Sequence, residues 1–268
     1  MVGKVIDMAI NCQQWIIHSK KVGCNSIMLS ENITPATDYP LKKKGTAEII
    51  RRNQDRGLYF MEGVDGKDFY CVEKPIPVTE LLINGETVMV DDPLHETGMR
   101  KLAAKAKGKV LVGGLGLGLI AHALEHNLNV SKVDIVEKNP DVLDLVKPHI
   151  PEVISEWVML TRDIPFPDRP ITVHKGDVFD KKWSEGDYDT IIIDLWVRSS
   201  GGPLRIAGGG PSDIMDAYMW WKVRNPDADV FIWGVNDTNI NPAMTKQPCE
   251  LMTELKKEMS RKNLNEVI

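Results

Sequence analysis

Long apolar runs are missing from this sequence. No stretch of about 18 consecutive apolar residues occurs in the chain, so we expect no ordinary transmembrane helix and no membrane partner. The first residues do not read as a signal peptide, because Asp7 interrupts their apolar stretch and no small-residue cleavage site follows. The sequence therefore predicts a soluble, cytoplasmic protein.

Cysteine is scarce. The chain has four cysteines: Cys12, Cys24, Cys71 and Cys249. No two of them are spaced as C-x-x-C, so the sequence indicates neither a zinc site nor a disulfide framework. We expect free thiols in a reducing compartment and no bound metal.

An excess of positive charge is absent as well. Lys and Arg number 33 against 38 Asp and Glu, which gives a net charge of −5 and a pI near 5.7. General nucleic-acid binders neutralise phosphates with basic residues, so we expect no nucleic-acid partner. One basic run exists at Lys42 to Lys44, with Arg51 and Arg52 nearby, and we interpret it as a solvated loop and helix.

The composition that is present, 43% hydrophobic and 26% charged residues, is that of an ordinary globular protein. The length of 268 residues suits one large α/β domain, with or without a small appendage. Apolar residues at helical spacing predict an amphipathic helix over residues 3–19, whereas residues 24–45 read as irregular. The role of residues 1–56 is left open, although an apolar helix face is compatible with a homodimer.

Short β-rich runs separated by turn residues come next. They predict strands at residues 58–62, 68–73, 80–83 and 87–90. Asn84-Gly85, between the last two runs, is a strong hairpin signal. We therefore expect a small antiparallel β domain over residues 57–92, followed by a cofactor-binding domain over residues 93–268.

Beyond residue 92 the pattern alternates between helices and buried strands. Strands are predicted at residues 110–112, 132–136, 171–174, 190–194 and 230–233. Helices are predicted at residues 93–107, 139–150, 213–224 and 248–263. Such alternation is typical of a parallel sheet with helices on both faces, so the predicted fold class is α/β with a doubly wound, Rossmann-like sheet.

A glycine-rich turn follows the first of these strands. Its glycines are Gly113, Gly114, Gly116 and Gly118, and a helix is predicted to resume at Leu119. Glycine permits positive φ and lets a ligand approach the backbone, and a helix N-terminus favours anions. Glu137 ends the next strand about 20 residues later, where doubly wound folds hydrogen-bond a ribose. The turn and Glu137 together predict a nucleoside-cofactor site.

Two further acids lie at predicted strand ends. Asp177 can accept a hydrogen bond from an adenine amino group, with Val178 or Phe179 against the ring. A helix N-cap is the alternative role for Asp177. Asp194 closes a buried strand at the edge where α/β ligands bind, and a buried acid there is costly unless it is used or paired.

The spacing of the glycines distinguishes between cofactors. The dinucleotide pattern G-x-G-x-x-G is met at Gly114 and Gly116, but Leu119 stands at its third glycine. The spacing G-x-G-x-G matches instead the first motif of S-adenosylmethionine enzymes. We therefore expect S-adenosyl-L-methionine as the cofactor.

In this order the motifs resemble those of spermidine synthase-like class I S-adenosylmethionine-dependent transferases, in the methyltransferase superfamily, over roughly residues 58–235. The motifs are Leu82-Ile-Asn-Gly85, Asp91-Asp-Pro-Leu-His-Glu96, Val112-Gly-Gly-Leu-Gly-Leu-Gly118, Val136-Glu137, Gly176-Asp177 and Tyr188-Asp-Thr-Ile-Ile-Ile-Asp194. The resemblance implies a small β domain, a linking helix and a methyltransferase-like sheet. It also implies that Glu137 binds the ribose, that Asp177 binds the adenine, and that Asp194 lies close to the reacting centre.

The chain departs from the aminopropyltransferases of that class at three polar groups that hold a polyamine. An Asp of their first motif is Gly116 here, the second acid after their fourth strand is Val197, and a Tyr of their linking helix is Leu94. Burying an amine cation without partner carboxylates is costly. We therefore expect methyl transfer to a small-molecule acceptor, a reaction to which proximity and orientation can contribute roughly 7–11 kcal/mol.

The residues that can take a proton from the acceptor are Asp194, His174 and His95. Each has an alternative: Asp194 can position the cofactor's amino group, and either histidine can be structural or exposed. The glycine-rich run at residues 199–211 is either a lid or a plain connector. Trp196 and Arg198 are candidates for lining the acceptor pocket.

Three other functions stay open at this stage. One is an aminopropyltransferase that uses decarboxylated S-adenosylmethionine, and another is a nicotinamide-dependent oxidoreductase. The third is a non-catalytic protein that retains the nucleoside pocket.

Overall fold

A computed structural model gives the fold of the chain. It describes residues 2–6, 17, 25–29, 32–61, 68–152, 169–197, 205–206 and 214–233. Several expectations lie outside this part of the chain: the helix beyond residue 6 apart from residue 17, the helix at residues 248–263, Arg198, and the glycine-rich run apart from residues 205–206.

The bounds of the elements follow. The strands are β1 (Val2–Ile6), β2 (Asn25–Leu29), β3 (Lys42–Lys44), β4 (Ala47–Gln54), β5 (Gly57–Met61), β6 (Asp68–Val72), β7 (Ile76–Ile83), β8 (Glu86–Val90), β9 (Gly108–Gly113), β10 (Val130–Glu137), β11 (Ile171–Lys175), β12 (Thr190–Ile193), β13 (Trp196–Val197), β14 (Arg205–Ile206) and β15 (Asp229–Ile232). The α-helices are α1 (Pro93–Ala103), α2 (Leu119–Leu124), α3 (Pro140–Val146), α4 (Lys181–Ser184) and α5 (Ile214–Arg224). Among the described residues, no helix is long and apolar enough to cross a membrane.

One antiparallel sheet has the strand order β3-β4-β7-β8. The predicted hairpin joins its last two strands, and Asn84 and Gly85 turn the chain with positive φ values of 53° and 82°. The helix expected near Arg51 and Arg52 is wrong, because these residues lie in β4. Strand β4 pairs with β7 along all eight of its residues, and such long-range pairing outweighs a local pattern.

A second sheet has the order β1-β5-β6-β2, in which β2 runs parallel to β6 and the other pairs are antiparallel. The helix predicted over residues 3–19 is therefore wrong at residues 3–6, which lie in a strand paired with β5. The irregular stretch expected at residues 24–45 contains the strands β2 and β3. Cys71 of β6 is disulfide-bonded, so the expectation of free thiols is wrong for this residue.

The third sheet is parallel throughout, with the order β11-β10-β9-β12-β15. It contains the five strands that the sequence predicts between residues 110 and 233. The order reverses direction between β9 and β12, and doubly wound sheets bind ligands at such a switch point, outside the carboxyl ends of the strands. The glycine turn after β9 and Asp194 after β12 lie on the two sides of this point.

Apolar side chains cover both faces of the parallel sheet. Val110 and Val112 belong to one core cluster, which includes residues of α1, α2 and α3 together with Ile49 and Leu81 of the antiparallel sheet. Leu111, between those two valines, points to the opposite face and packs in a cluster with α5. Helices therefore lie on both faces, as the alternating pattern predicts.

Candidate functional site

The glycine turn after β9 needs glycine for steric reasons. Gly114, Gly116 and Gly118 have φ values of 98°, 52° and 75°, which side chains rarely tolerate. A Cβ atom on Gly114 would lie 2.2 Å from the carbonyl oxygen of Asp194. The turn therefore lies directly against the residue that follows β12.

Gly113 closes β9 beneath this turn. Its carbonyl oxygen accepts the backbone N–H of Asp194 at 2.8 Å. A Cβ atom on Gly113 would lie 3.0 Å from Val178 and 3.1 Å from Ile193. A backbone hydrogen bond therefore joins the carboxyl ends of β9 and β12, and the Val178 side chain lies close to Gly113.

Most amides of the turn bond within the protein. Gly114 N–H donates to the carbonyl of Val136 at 2.9 Å, and Leu117 N–H donates to the Met89 sulfur at 3.0 Å. Gly118 N–H donates to the carbonyl of Leu115 at 2.8 Å. These hydrogen bonds hold the turn in shape without a ligand. Because they use most of its amides, a ligand would be bound mainly by the side chains around the turn.

Glu137 joins this turn to the next helix. Its Oε2 accepts Leu115 N–H at 2.9 Å, and its Oε1 accepts Asn139 N–H at 2.7 Å, just before α3. Each carboxylate oxygen has a second lone pair, so the half-buried group can still accept the hydroxyl hydrogens of a ribose. Glu137 lies at the end of β10, next to the glycine turn. Doubly wound folds place at this position the acidic residue that hydrogen-bonds a ribose.

Asp177 lies beyond the end of β11. Its Oδ1 accepts Phe179 N–H at 3.0 Å, and its Oδ2 accepts a hydrogen bond from Lys138 Nζ at 2.9 Å. These contacts make a turn rather than the helix N-cap that was the alternative role, since Asp180 is the residue before α4. Val178 is buried, whereas the Phe179 ring packs edge-on against Trp220 at 5.3 Å, in the cluster around α5.

Asp194 lies at the centre of the edge. Burial raises the pKa of its carboxyl group to about 6, the negative charge of Glu137 adds to the rise, and the neighbouring His95 opposes it. An acid poised near neutrality at a ligand-binding edge is a candidate functional group. The charges of His95 and Glu137 therefore both act on the Asp194 carboxyl group.

His95 is oriented by Asp92. The carboxylate of Asp92 accepts the backbone N–H of His95 at 3.0 Å through Oδ1, and its Oδ2 lies 3.1 Å from His95 Nδ1. Burial alone would lower the pKa of His95, but the charge and hydrogen bond of Asp92, with help from Asp194, raise it above its usual value. From the sequence, Asp92 is part of the motif Asp91-Asp-Pro-Leu-His-Glu96 at the start of the helix, but no role for it toward His95 is predicted.

Trp233 closes the other side of His95. The centroids of the two rings lie 5.7 Å apart, and the indole packs on α1 at Gly98, where a Cβ atom would come within 2.3 Å of the Trp233 ring. A glycine inside a helix is costly, so this contact explains its presence. Trp233 reaches this position because it directly follows β15. No local sequence pattern predicts its contacts with His95 and Gly98.

His174 lies away from His95 and Asp194. Its Nε2 lies 2.8 Å from Oδ1 of the buried Asp134, which also receives Lys132 Nζ at 2.8 Å and the Tyr188 hydroxyl at 3.3 Å. Strand β11 is separated from β12 by β10 and β9, and three strand spacings amount to about 14 Å. His174 therefore fits the structural role better than that of a base beside Asp194.

The group formed by Glu137, Asp194 and His95 is negative, partly buried and able to hold a proton. Such a site suits a cationic ligand whose reaction releases a proton. In the described part of the chain, no three His, Cys, Asp or Glu side chains are arranged to hold a metal ion. Trp196 lies in the short strand β13, which pairs with β14.

The described residues thus form an α/β protein in which the glycine turn, Glu137 and Asp194 lie at the switch point of a parallel sheet. No protein-family model matches the chain. A spermidine synthase of Coffea arabica is 35% identical over 88 residues, which are 32% of this chain and 25% of that protein. The chain therefore spans only about a quarter of the length of this relative.

Proposed function

We propose that the protein is an S-adenosylmethionine-dependent methyltransferase that acts on a small-molecule acceptor. The observation that carries the proposal is the placement of Glu137, which is bonded to the glycine turn and retains lone pairs for two ribose hydroxyls. Asp177, beyond the end of the neighbouring strand, would supply a hydrogen-bond acceptor for a purine, and the buried Val178 follows it. The chain's own residues thus fit an adenosyl group.

The reacting group of such a cofactor is a sulfonium cation, which supplies an electrophilic methyl carbon when it is bound. When bound, such a cofactor would supply that methyl group to an acceptor's lone pair, and the electron pair of the broken carbon–sulfur bond would stay on sulfur. Asp194 and Glu137 provide negative charge near this centre, which stabilises a cation. Asp194 and His95 are the groups that can accept the proton that the acceptor loses.

Met89 argues for methyl transfer over aminopropyl transfer. Its sulfur would lie 2.2 Å from a Cβ atom on Gly116, the position at which aminopropyltransferases of the resembling class carry an Asp for the amine. An apolar thioether therefore fills the space where that carboxylate would begin. A cationic amine would find no partner at this point, and burying it would be costly.

Aminopropyl transfer is the second candidate because of the likeness to a spermidine synthase. The two candidates differ in product. Incubation with S-adenosylmethionine and a panel of acceptors should release S-adenosylhomocysteine, whereas incubation with decarboxylated S-adenosylmethionine and polyamines should release no methylthioadenosine. The opposite pattern would make the protein an aminopropyltransferase.

Calorimetry tests the cofactor itself. We expect the full chain to bind S-adenosylmethionine and S-adenosylhomocysteine but not NAD, and we expect Glu137→Ala to lose binding by about tenfold or more, because hydrogen bonds to a charged group are lost. Glu48→Gln, which removes a surface carboxylate paired with Lys43, is the control. Heat with NAD alone would indicate an oxidoreductase, and binding without turnover on any acceptor would indicate a non-catalytic binding protein.

A further inference from the structure

A residue from before the antiparallel sheet reaches the glycine turn. Tyr39 directly follows the 3₁₀ turn Pro35–Asp38 and is buried, with 4% of the residue exposed. Its hydroxyl group donates to the carbonyl of Leu117, 78 residues further along the chain, at 3.1 Å. A Cβ atom on Gly118 would lie 3.3 Å from the same hydroxyl oxygen. Tyr39 therefore lies against the turn that carries the candidate cofactor site.

The Leu117 peptide depends on this hydroxyl group. Its N–H donates to the sulfur of Met89 at 3.0 Å, and a thioether is a weak acceptor. The bond from Tyr39 to its carbonyl is therefore the stronger polar contact of this peptide. Leu117 is 0% exposed, so water does not readily replace a lost partner. Two residues earlier, Leu115 N–H donates to Glu137 at 2.9 Å, so the shape of the turn and the position of Glu137 are linked.

Tyr39 is itself held in place by its surroundings. Its ring stacks on the His149 ring, with centroids 4.5 Å apart and planes at 25°. The Arg51 side chain donates to its backbone carbonyl at 3.4 Å. At the other end of the 3₁₀ turn, the Thr34 hydroxyl group donates to Oδ2 of the buried Asp91 at 2.5 Å. A segment that is fixed at both ends thus presents the Tyr39 hydroxyl group to the glycine turn.

The imidazole of His122 faces the same hydroxyl group. Its Nε2 lies 3.2 Å from the Tyr39 hydroxyl oxygen, and its Nδ1 lies 3.8 Å from the carboxylate of Glu125. The ring also donates to the backbone carbonyl of His149, and the exposed His126 is a further titratable group that acts on it. The carboxylate beside Nδ1 favours the neutral tautomer with its hydrogen on Nδ1, which leaves Nε2 as an acceptor.

The charge on His122 therefore decides where the hydroxyl hydrogen of Tyr39 points. When the ring is neutral, this single hydrogen has two acceptors, Nε2 of His122 and the carbonyl of Leu117. When the ring is protonated, Nε2 becomes a donor to the hydroxyl oxygen, and the hydrogen is directed to Leu117 alone. Burial lowers the pKa of His122, against the opposing charge of Glu125, so the change occurs on the acid side of neutrality.

We propose that Tyr39 is a positioning residue for the cofactor-binding turn, and that protonation of His122 strengthens its hold by directing the hydroxyl hydrogen to Leu117. This inference rests on the proposed function, because it takes an adenosyl group bound beside Glu137 as given. A residue that does not touch the cofactor should thus change its affinity in a pH-dependent way. A hydroxyl group that served stability alone would lower the free energy of unfolding and leave the ratio of affinities independent of pH.

The test measures the affinity of the full chain for S-adenosylhomocysteine by calorimetry at pH 5 and pH 8. Tyr39→Phe removes only the hydroxyl group and keeps the ring on His149. We expect it to weaken binding about tenfold at pH 5, where the parent directs the hydrogen to Leu117, and about threefold or less at pH 8. Because parent and variant are compared at the same pH, the titration of Asp194 affects both and cancels in the ratio.

His122→Gln tests the proton directly. The new amide nitrogen donates at every pH, so adding Tyr39→Phe to this variant should cost the same factor at pH 5 and pH 8. The ratio of the affinity of His122→Gln to that of the parent should instead change between the two pH values. This comparison leaves Tyr39 in place, so it carries the test even if Tyr39→Phe does not fold.

Tyr59→Phe is the matched control. Tyr59 lies in β5, is 5% exposed, and donates its hydroxyl hydrogen to the carbonyl of Asp55 at 2.7 Å. The variant should leave the affinity unchanged at both pH values, and thermal melting reports whether each variant is folded.

The inference is overturned if folded Tyr39→Phe protein binds as the parent does, if its loss is the same at both pH values, or if Tyr59→Phe loses as much. If the parent shows no heat with S-adenosylhomocysteine at either pH, the proposed function itself fails. That result differs from a parent that binds and a Tyr39→Phe variant that binds equally well.

Discussion

The sulfur of Met89 lies against the backbone at Gly116 and accepts the N–H of Leu117 at 3.0 Å. A residue of the antiparallel sheet thereby shapes the glycine turn of the parallel sheet. Met89 is 8% exposed and belongs to the large core cluster, so the contact is part of the packed interior. Met89 of β8 and Glu137 thus each accept a backbone N–H of the turn.

Gly116→Ala should destabilise the protein through this contact. The new methyl group would meet the Met89 sulfur at 2.2 Å, and position 116 already has positive φ, so we expect a loss of about 1–3 kcal/mol in the free energy of unfolding. Gly85→Ala is the control, because Gly85 has φ of 82° with nothing within 4 Å of its would-be Cβ. Urea denaturation of both variants separates backbone strain from the clash. Equal losses in the two would show that Met89 contributes nothing.

Asp194 should make stability and cofactor binding depend on pH. Its pKa of about 6 in the folded protein exceeds the ordinary value of 3.8, so the folded state holds a proton that the unfolded state has lost between these values. The free energy of unfolding contributed by Asp194 therefore falls as pH rises from about 4 to 6, by roughly 1–3 kcal/mol. Asp194→Asn should remove this slope and be more stable than the parent at pH 7, whereas Glu48→Gln should keep the slope.

The same group should distinguish the charged cofactor from its neutral product. A sulfonium cation is attracted to ionised Asp194, so the affinity for S-adenosylmethionine should rise as pH passes about 6, whereas S-adenosylhomocysteine, which lacks that cation, should show a weaker dependence. Calorimetry between pH 5 and 8 measures both. Parallel curves for the two compounds would mean that Asp194 does not face the sulfur.

Several features of this edge can be predicted from the sequence because they follow from local patterns. Gly113 to Gly118, Glu137 and Asp194 each come directly after a buried apolar run, and the carboxyl ends of parallel strands share one edge. The hairpin at Asn84-Gly85 is equally local, since positive φ is required there. In each case the residue type and its neighbours in sequence carry the information.

The contacts that complete the site are not local. Met89 reaches Leu117 across 28 residues, and Trp233 reaches Gly98 from the far end of the sheet. The strand at residues 2–6 forms by pairing with β5, so the helical spacing of its apolar residues misleads there. His174 illustrates the same limit, because its partner Asp134 lies on a neighbouring strand.

Asp92→Asn should separate the capping role of Asp92 from its effect on His95. Asn caps helices about as well as Asp, so the start of α1 should be retained. The raised pKa of His95 gives stability that is present below the unfolded value of 6.5 and is lost as pH rises through the folded value. The variant should therefore lose stability mainly at low pH, by about 1–2 kcal/mol, and the His95 ring should titrate at lower pH in NMR spectra. Asp92→Ala should lose stability at every pH, because the cap is removed as well. If Asp92→Asn left the titration of His95 unchanged, the imidazole would not depend on that carboxylate.

His174→Gln tests whether His174 is structural or catalytic. Its imidazole is a partner of Asp134, whose carboxylate is 4% exposed, and a poorer partner should cost about 1–3 kcal/mol in the free energy of unfolding. Because β11 is about 14 Å from β12, the affinity for S-adenosylhomocysteine and the rate of product formation should stay within about twofold of the parent. His126→Gln, at an exposed position on the surface, should change neither quantity. A fall in turnover of tenfold or more in a folded His174→Gln protein, with normal cofactor affinity, would instead assign the proton transfer to His174. Comparing the two measurements decides the role, because loss of a purely structural histidine lowers the free energy of unfolding and leaves turnover unchanged.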